Sequence, residues 1–174
     1  FPVRIALKPK YRMITSLGVH DVSNYLLIRI MTDAGLEGVG EATVSVLWSG
    51  ETVWGCHSLI RRVLAPAVLG ADPLDIEEID RRLDSVCRHN WFAKSAIEMA
   101  CWDLSGKAAD KPVYELLGGP ARDEIVCYAT GLDTDWHMEL GFEATKLACP
   151  YGPGDGLTGL EGNEQLVDKT RELI

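Results

Sequence analysis

Lys146 is the first candidate for chemistry, because it lies near the end of a predicted strand. In the segment Phe142-Glu-Ala-Thr-Lys-Leu-Ala148, strand alternation places Lys146 on the same face as Phe142, Ala144 and Ala148. An ammonium group there can bind a carboxylate or lower the pKa of a neighbouring acid. A single lysine at a strand end is also a common surface charge, so the residues alone leave both interpretations open.

Three histidines and the carboxylates that follow Lys146 do not form a recognisable catalytic or metal-binding group. Four carboxylates follow the strand at spacings typical of a solvated surface rather than of a metal site: Asp155, Glu161, Glu164 and Asp168. Three histidines have no carboxylate or cysteine at ligand spacing and are interpreted as structural: His57, His89 and His137. We therefore expect no metal site within these 174 residues.

The cysteines and the glycine-rich loop also lack the spacing of a known site. The five cysteines are odd in number and contain no Cys-x-x-Cys pair, which predicts reduced thiols rather than a disulfide framework or a zinc site. The loop of residues 150–159 is rich in glycine, but no Lys-Ser or Lys-Thr pair follows it as a P-loop requires. It is therefore interpreted as a strand-to-helix loop.

Composition and charge indicate a soluble globular protein. The chain is 47% hydrophobic and 25% charged, which is enough to build a core. Its net charge of -9 disfavours nucleic acid and anionic membranes as partners, because phosphate groups would be repelled. No apolar run approaches the roughly 20 residues of a membrane span, and no signal segment opens the chain. We expect a cytoplasmic location.

The first 119 residues predict strands followed by helices. Residues 24–43 form two alternating runs around Asp33-Ala34-Gly35, typical of a hairpin, and Gly38 and Gly40 are interpreted only as hairpin features. Two helices are predicted over residues 51–63 and 73–86, the second with Asp72 as its N-cap and Pro73 at its first position. Its stripe comprises Ile76, Ile79, Leu83 and Val86.

The pattern changes after Gly119 to alternating strands and helices. Strands are predicted over residues 125–130 and 142–148, and helices over residues 134–140 and 160–174. This order is the beginning of a parallel sheet with crossover helices. Two parallel strands cannot close or be covered on both faces, so we expect the polypeptide to continue beyond Ile174 or these residues to be a fragment.

The last part of the first region, residues 93–119, resembles a known family. It begins with Ala93-Lys-Ser-Ala-Ile-Glu-Met-Ala-Cys-Trp-Asp-Leu-Ser-Gly-Lys-Ala108, a predicted helix in which Ile97, Ala100, Cys101, Leu104 and Ala108 recur at helical spacing. The alanines of this helix allow close approach of another element. Pro112 then opens a short helix that Gly118-Gly119 ends. The segment is similar to the signature of the mandelate racemase and muconate-lactonizing enzyme family of the enolase superfamily.

This resemblance implies a fold and a division into domains. Members have an α+β capping domain followed by a modified TIM barrel, and such a barrel needs roughly 250 residues. Residues 1–119 would be the capping domain, and residues 120–174 the first two βα units of a truncated barrel. The context Tyr128-Ala-Thr-Gly131, Gly141-Phe142, Lys146 and Gly152-Pro153-Gly-Asp155-Gly156 looks like the L-rhamnonate dehydratase branch.

The resemblance also implies a chemistry. Members remove the proton beside a carboxylate and stabilise the resulting enediolate with Mg²⁺. The metal carboxylates come from the third, fourth and fifth barrel strands, which lie outside this sequence. Lys146 aligns with the first lysine of the family's Lys-x-Lys, whereas Ala148 replaces the second, the usual general base. This departure disfavours a racemase that needs a base on this side.

Two loops of the capping domain are expected to set substrate specificity. The first spans about residues 10–24 and carries Arg12 and His20, and the second spans about residues 45–50 and carries Trp48. An acid-sugar ligand needs hydrogen-bond partners and a group that excludes water, so Arg12, His20 and Trp48 are predicted substrate contacts. A structural histidine and a core tryptophan are the alternatives for His20 and Trp48.

These observations predict a Mg²⁺-dependent enzyme of the enolase superfamily when the protein is complete. The expected reaction is dehydration of a sugar acid, a small-molecule carboxylate, by a homo-oligomer. Racemisation, epimerisation or cycloisomerisation is the alternative within the family. A third hypothesis is that the residues given are a non-catalytic capping and interaction fragment, because without the metal strands they are expected to be inactive.

Overall fold

The computed structural model describes residues 1–173, which fall into two units. The first contains residues 1–5 and 23–121, and the second contains residues 6–22 and the chain from residue 122 onward. The strands are β1 (Pro2–Ala6), β2 (Met13–Thr15), β3 (Gly18–His20), β4 (Val22–Met31), β5 (Glu37–Val44), β6 (Ala129–Thr130) and β7 (Thr145–Lys146). The helices are α1 (Val46–Ser49), α2 (Val53–Leu59), α3 (Ala65–Val68), α4 (Ile76–Val86), α5 (Trp91–Ala109), α6 (Val113–Leu116), α7 (Thr134–Glu139) and α8 (Gly156–Arg171).

The first unit is built on a sheet with the strand order β1-β4-β5. Strands β4 and β5 pair antiparallel, with Asn24 opposite Val44 and Met31 opposite Glu37. Gly35 in the connecting loop has a φ of +79°, which confirms the predicted hairpin tip. Side chains along β5 alternate between exposed and buried, so this strand turns one face towards the core.

Helix α5 packs directly on β5 because both surfaces carry small residues. A Cβ at Gly40 would overlap the carbonyl oxygen of Ala96, and one at Gly38 would overlap that of Ala100. The interpretation of these glycines as hairpin features only is therefore wrong, since they admit the helix backbone. The close approach predicted from the alanines of α5 is confirmed, although the exposed Ala108 lies outside its buried stripe.

The charged residues of the signature segment cover the exposed edge of β5. The carboxylate of Asp103 accepts a hydrogen bond from the backbone N–H of Val39 at 2.8 Å. Lys107 Nζ donates to Asp103 and to the carbonyl of Glu37, each at 2.7 Å. The hydrogen bond from Lys107 lowers the pKa of Asp103. These side chains satisfy an edge strand that would otherwise offer unpaired backbone groups.

Buried apolar side chains from the sheet and the helices form the core of the first unit: Leu26, Ala42, Leu64, Ile79, Leu83, Ile97 and Cys101.

The two predicted helices before α5 differ from the observed ones at their ends. The helix predicted over residues 51–63 begins at Val53 and continues through a π turn at Ile60–Leu64 into α3. The predicted start of α4 is wrong. Asp75, rather than Asp72, accepts from the backbone N–H of Glu78, whereas the Asp72 carboxylate bonds the N–H of Leu74 in the preceding turn. Val86 is exposed, unlike Ile79 and Leu83.

The second unit contains shorter strands than the sequence predicts. Strands β6 and β7 are parallel, as predicted, but each has only two residues. Ile125 and Val126 lie at the start of the strand predicted over residues 125–130, yet they are 75% and 82% exposed. Among the described residues β6 has one strand neighbour, so nothing pairs or covers the start of the predicted strand. The predicted last helix begins at Gly156, and its predicted end at Ile174 lies outside the described residues.

Within residues 1–173 no helix is both long enough and apolar enough to cross a membrane.

Candidate active site

Lys146 ends the short strand β7, on the side opposite the neighbouring helix. Its strand neighbour Thr145 turns towards α7, because Thr145 Oγ1 lies 3.1 Å from Nδ1 of the buried His137 and donates to the carbonyl of Ala129. Consecutive strand residues point to opposite faces, so the exposed Lys146 side chain lies on the face away from α7. The carboxyl end of a parallel strand is where barrel enzymes place reactive groups.

The hairpin β2–β3 carries Arg12 and His20. The two strands pair antiparallel with Met13 opposite His20, and His20 is exposed. Arg12, which directly precedes β2, forms a 3.3 Å ion pair with Asp21 directly after β3. Both partners are about half exposed, so the ion pair closes the base of the hairpin with a small energetic contribution.

The tip of this hairpin lies against the glycine-rich loop that follows β7. A Cβ at Gly152 would lie 3.1 Å from the carbonyl oxygen of Ser16 and 3.2 Å from its Cβ. The loop is held in shape by Asp155, whose carboxylate accepts from the N–H of Gly152 at 2.8 Å. One of the two predicted specificity segments therefore contacts the loop after the strand that bears Lys146.

Trp48 lies in the short helix α1 of the first unit, and its side chain is 85% exposed. The alternative interpretation of Trp48 as a core residue is wrong. Arg12, His20 and Lys146 all belong to the second unit, so the structure groups three of the four predicted site residues in one unit and Trp48 in the other. The roles of all four residues stay predictions.

Among residues 1–173 no group of three or more His, Cys, Asp or Glu side chains is arranged to hold a metal ion. Asp155, one of the carboxylates after β7, is already hydrogen-bonded to the backbone of its own loop. The described residues therefore do not fit a Mg²⁺ site, which needs several oxygen ligands around one point.

The two buried cysteines, Cys56 and Cys101, lie in the core of the first unit. Burial, supported by a hydrogen bond to Glu51, raises the pKa of Cys56 to about 12. Burial also raises the pKa of Cys101 to about 11. A thiol that stays protonated near neutral pH is a poor nucleophile and a poor metal ligand, so both residues serve the core.

Glu51 is a residue whose role sequence analysis missed. Its carboxylate accepts hydrogen bonds from the backbone N–H groups of Phe92 and Ala93 at 3.1 and 3.3 Å, and from the thiol of Cys56 at 3.2 Å. Phe92 and Ala93 belong to the first turn of α5, where N–H groups lack partners within the helix. The sequence signals this role only by placing an acidic residue just before Thr52. Thr52 itself is the N-cap of α2.

Comparison with known families identifies the first two thirds of the chain. The family described as "Mandelate racemase / muconate lactonizing enzyme, N-terminal domain" matches residues 3–118. An L-rhamnonate dehydratase from Saccharopolyspora erythraea is 35% identical over 176 residues, which cover 98% of this chain and 43% of the relative. The chain thus spans less than half the length of that relative.

Solved structures show the same fold across both units. A 2-chloromuconate cycloisomerase from Rhodococcus opacus has a TM-score of 0.85 at 26% identity, over 99% of this chain and 48% of the other. A dipeptide epimerase from Enterococcus faecalis, crystallised with Mg and the dipeptide L-Leu-L-Tyr, has a TM-score of 0.80 at 26% identity, over 96% of this chain and 49% of the other. These comparisons support an α+β capping domain followed by the first βα units of an incomplete barrel.

Proposed function

The chain belongs to the mandelate racemase / muconate lactonizing enzyme family of the enolase superfamily, and we propose that the complete protein dehydrates a sugar acid. In this proposal residues 1–119 are the capping domain, and residues 120–174 begin the barrel. The reaction removes the proton from the carbon beside the carboxylate and expels the hydroxyl group of the next carbon as water. The resulting enol then tautomerises to a 2-keto-3-deoxy acid.

The position of Lys146 is the observation that carries this proposal. Its side chain lies at the carboxyl end of β7 on the face away from α7, which is the inner face of a strand in a βα barrel. There the ammonium group binds an oxygen of the substrate carboxylate. Negative charge on that oxygen increases when the neighbouring proton leaves, so a fixed positive charge stabilises the transition state more than the ground state.

Ala148 favours dehydration over racemisation. A racemase of the two-base type needs a proton acceptor on each face of the substrate carbon, and the methyl group of Ala148 cannot take a proton. Dehydration needs one base, which the proposal assigns to the barrel beyond residue 174. The 35% identity with an L-rhamnonate dehydratase over 98% of the chain also supports this class.

The residues described do not supply the ligands of the Mg²⁺ ion in the proposed reaction. Mg²⁺ in this family's chemistry stabilises a negatively charged intermediate, and residues 1–173 do not form its site. We therefore propose that its ligands come from the rest of the barrel. Residues 1–173 contribute Lys146 at a strand end, with Arg12, His20 and Trp48 as contacts to the substrate.

The proposal is tested with the complete protein, Mg²⁺ and a panel of sugar acids, by measuring formation of the 2-keto-3-deoxy product. Lys146→Met should keep folding nearly intact, because an apolar chain of similar length replaces the lysine stem. Its kcat/KM should fall by about tenfold to a hundredfold, or ~1.4 to 2.7 kcal/mol of transition-state stabilisation. Lys169→Met, which removes an exposed lysine from α8, is the matched control and should leave kcat/KM unchanged.

Three results would contradict the proposal. Equal kcat/KM for the wild type and Lys146→Met would show that Lys146 is an ordinary surface charge. An intact mass of 19.1 kDa, the mass of these 174 residues, would show that the protein lacks the remaining barrel. Conversion of a dipeptide or a muconate instead of a sugar acid would assign the protein to the epimerases or cycloisomerases of the same family.

A further inference from the structure

The turn that carries Trp48 is ordered by its own hydrogen bonds, although its side chains are exposed. The backbone N–H groups of Trp48 and Ser49 both donate to the carbonyl of Ser45, at 3.2 and 2.8 Å. Gly50 ends the turn with a φ of +74°, where a side chain would be strained. Val46, Leu47 and Trp48 are 61%, 73% and 85% exposed. The backbone thus holds three apolar side chains outward.

Glu51 directly follows this turn and connects it to α5. Asn90, the N-cap of α5, makes no side-chain hydrogen bond to the helix. The Glu51 carboxylate caps the helix instead, although it lies about 40 residues earlier in the sequence. It accepts hydrogen bonds from the N–H groups of Phe92 and Ala93. A negative charge at this end is also favoured by the helix dipole.

The same carboxylate is fixed from a second side. The thiol of Cys56 in α2 donates to Glu51 Oε2, and Ser49 Oγ accepts from the backbone N–H of Glu51 at 3.2 Å. Three donors from two helices therefore hold one side chain, whose backbone is in turn bonded to the Trp48 turn. The helix α5 that receives this connection is itself locked onto β5 through Gly38 and Gly40.

We propose that Glu51 is a positioning residue for substrate specificity, acting through Trp48. The inference rests on the proposed function in one respect, namely that Trp48 contacts the substrate. By joining the turn to α5, which packs directly on β5, Glu51 restricts the positions that Trp48 can occupy. A restricted apolar side chain discriminates between substrates of different size, whereas a mobile one adapts to each.

The first experiment measures the connection without relying on activity. Hydrogen exchange with mass spectrometry compares the wild-type complete protein with Glu51→Gln, which keeps the size but removes the charge and one acceptor oxygen. Exchange should accelerate about tenfold in segment 91–95, because hydrogen bonds to a charged group are lost. It should also accelerate in segment 45–50, the Trp48 turn. A simple cap of α5 would change only segment 91–95, and that result would overturn the inference.

The matched control is Glu77→Gln. Glu77 is an exposed acidic residue in the first turn of α4 in the same unit, so the variant removes an equal charge near another helix N-terminus. It should leave the exchange of segment 45–50 unchanged. Acceleration of that segment in Glu77→Gln as large as in Glu51→Gln would contradict the inference, since a general loss of stability would then explain both.

The second experiment tests whether Glu51 acts through Trp48. The ratio of kcat/KM for two sugar acids of different length is measured for the wild type, Glu51→Gln, Trp48→Ala and the double variant. Glu51→Gln should change the ratio at least about threefold, and it should have no further effect when Trp48 is already alanine. Independent effects of the two changes, or an unchanged ratio in Glu51→Gln, would overturn the inference.

These two experiments separate failure of the inference from failure of the proposed function. If the complete protein does not dehydrate sugar acids, the proposed function fails, and the same ratio is measured on two members of whichever substrate class it converts. If it does dehydrate them but segment 45–50 exchanges normally in Glu51→Gln, the proposed function stands and the role of Glu51 is wrong.

Discussion

The two units differ in how far each completes its own packing. In the first, the 19-residue helix α5 lies on the eight-residue strand β5, Gly38 and Gly40 admit the helix backbone, and the Asp103 carboxylate accepts from the N–H of Val39. In the second, strands β6 and β7 pair over two residues each, and Ile125 and Val126 are exposed. A strand forms where neighbouring elements pair with its backbone and cover its side chains. Strand β5 has both β4 and α5 as such neighbours, whereas β6 pairs only with β7 among the described residues.

The largest effect is expected from filling the helix-strand contact of the first unit. Gly40→Ala places a methyl group on the carbonyl oxygen of Ala96, and neither the β5 backbone that carries the methyl group nor the α5 backbone that carries the oxygen can move without opening the core. We expect a loss of at least about 3 kcal/mol in the free energy of unfolding. Guanidinium unfolding followed by circular dichroism measures it.

The same substitution in the second unit is the control. Gly154 has open space where a Cβ would lie, so Gly154→Ala should change the free energy of unfolding by less than about 0.5 kcal/mol. Equal effects of the two substitutions would show that the contact between α5 and β5 is less tight than the structure indicates.

A smaller effect is expected from the charged edge of β5. Asp103→Asn weakens the bonds to Val39 and Lys107, and because the carboxylate is partly exposed we expect a loss of about 1 to 2 kcal/mol. The hydrogen bond from Lys107 holds the pKa of Asp103 below its usual range. The wild-type contribution is therefore present above the unfolded pKa of about 4 and is lost as the pH falls through the lower folded pKa.

Unfolding measured from neutral pH down to acid checks this prediction. The difference in stability between the wild type and Asp103→Asn should shrink below about pH 4. A difference that stays constant over the whole range would mean that the charge of Asp103 does not stabilise the strand edge. Asp123→Asn, at an exposed position of the second unit, is the control and should change the free energy of unfolding at neutral pH by less than about 0.5 kcal/mol.

The smallest effect is expected in the second unit, at the connection between β7 and α7. Thr145→Val removes the hydroxyl group that bonds the Ala129 carbonyl and lies next to His137, at a cost of about 1 kcal/mol. Hydrogen exchange should accelerate in segments 127–131 and 143–147 and stay unchanged in α5. Thr145→Ser keeps the hydroxyl group and should retain the protection, so a loss in both variants would argue against the hydrogen bond.

The sequence predicted the first unit well because the elements that pack together in this unit, such as β4, β5 and α5, all lie within the chain. The hairpin around Gly35 and the small-residue face of α5 follow from spacing alone. The start of α4 was missed because Asp72 and Asp75 are both good caps, and only the backbone path selects between them. The candidate site was predicted less completely, since no local pattern marks Glu51 as a partner of α5.

The sequence by itself determined the family, the hairpin, the signature helix and the presence of a lysine at the end of the second parallel strand. Only the tertiary structure decided that Gly38 and Gly40 admit the backbone of α5, that Thr145 turns towards His137, and that Glu51 reaches Phe92. The physical reason is separation along the chain. Periodicity and capping act over a few residues, whereas these contacts join groups that only folding brings within hydrogen-bond or van der Waals distance.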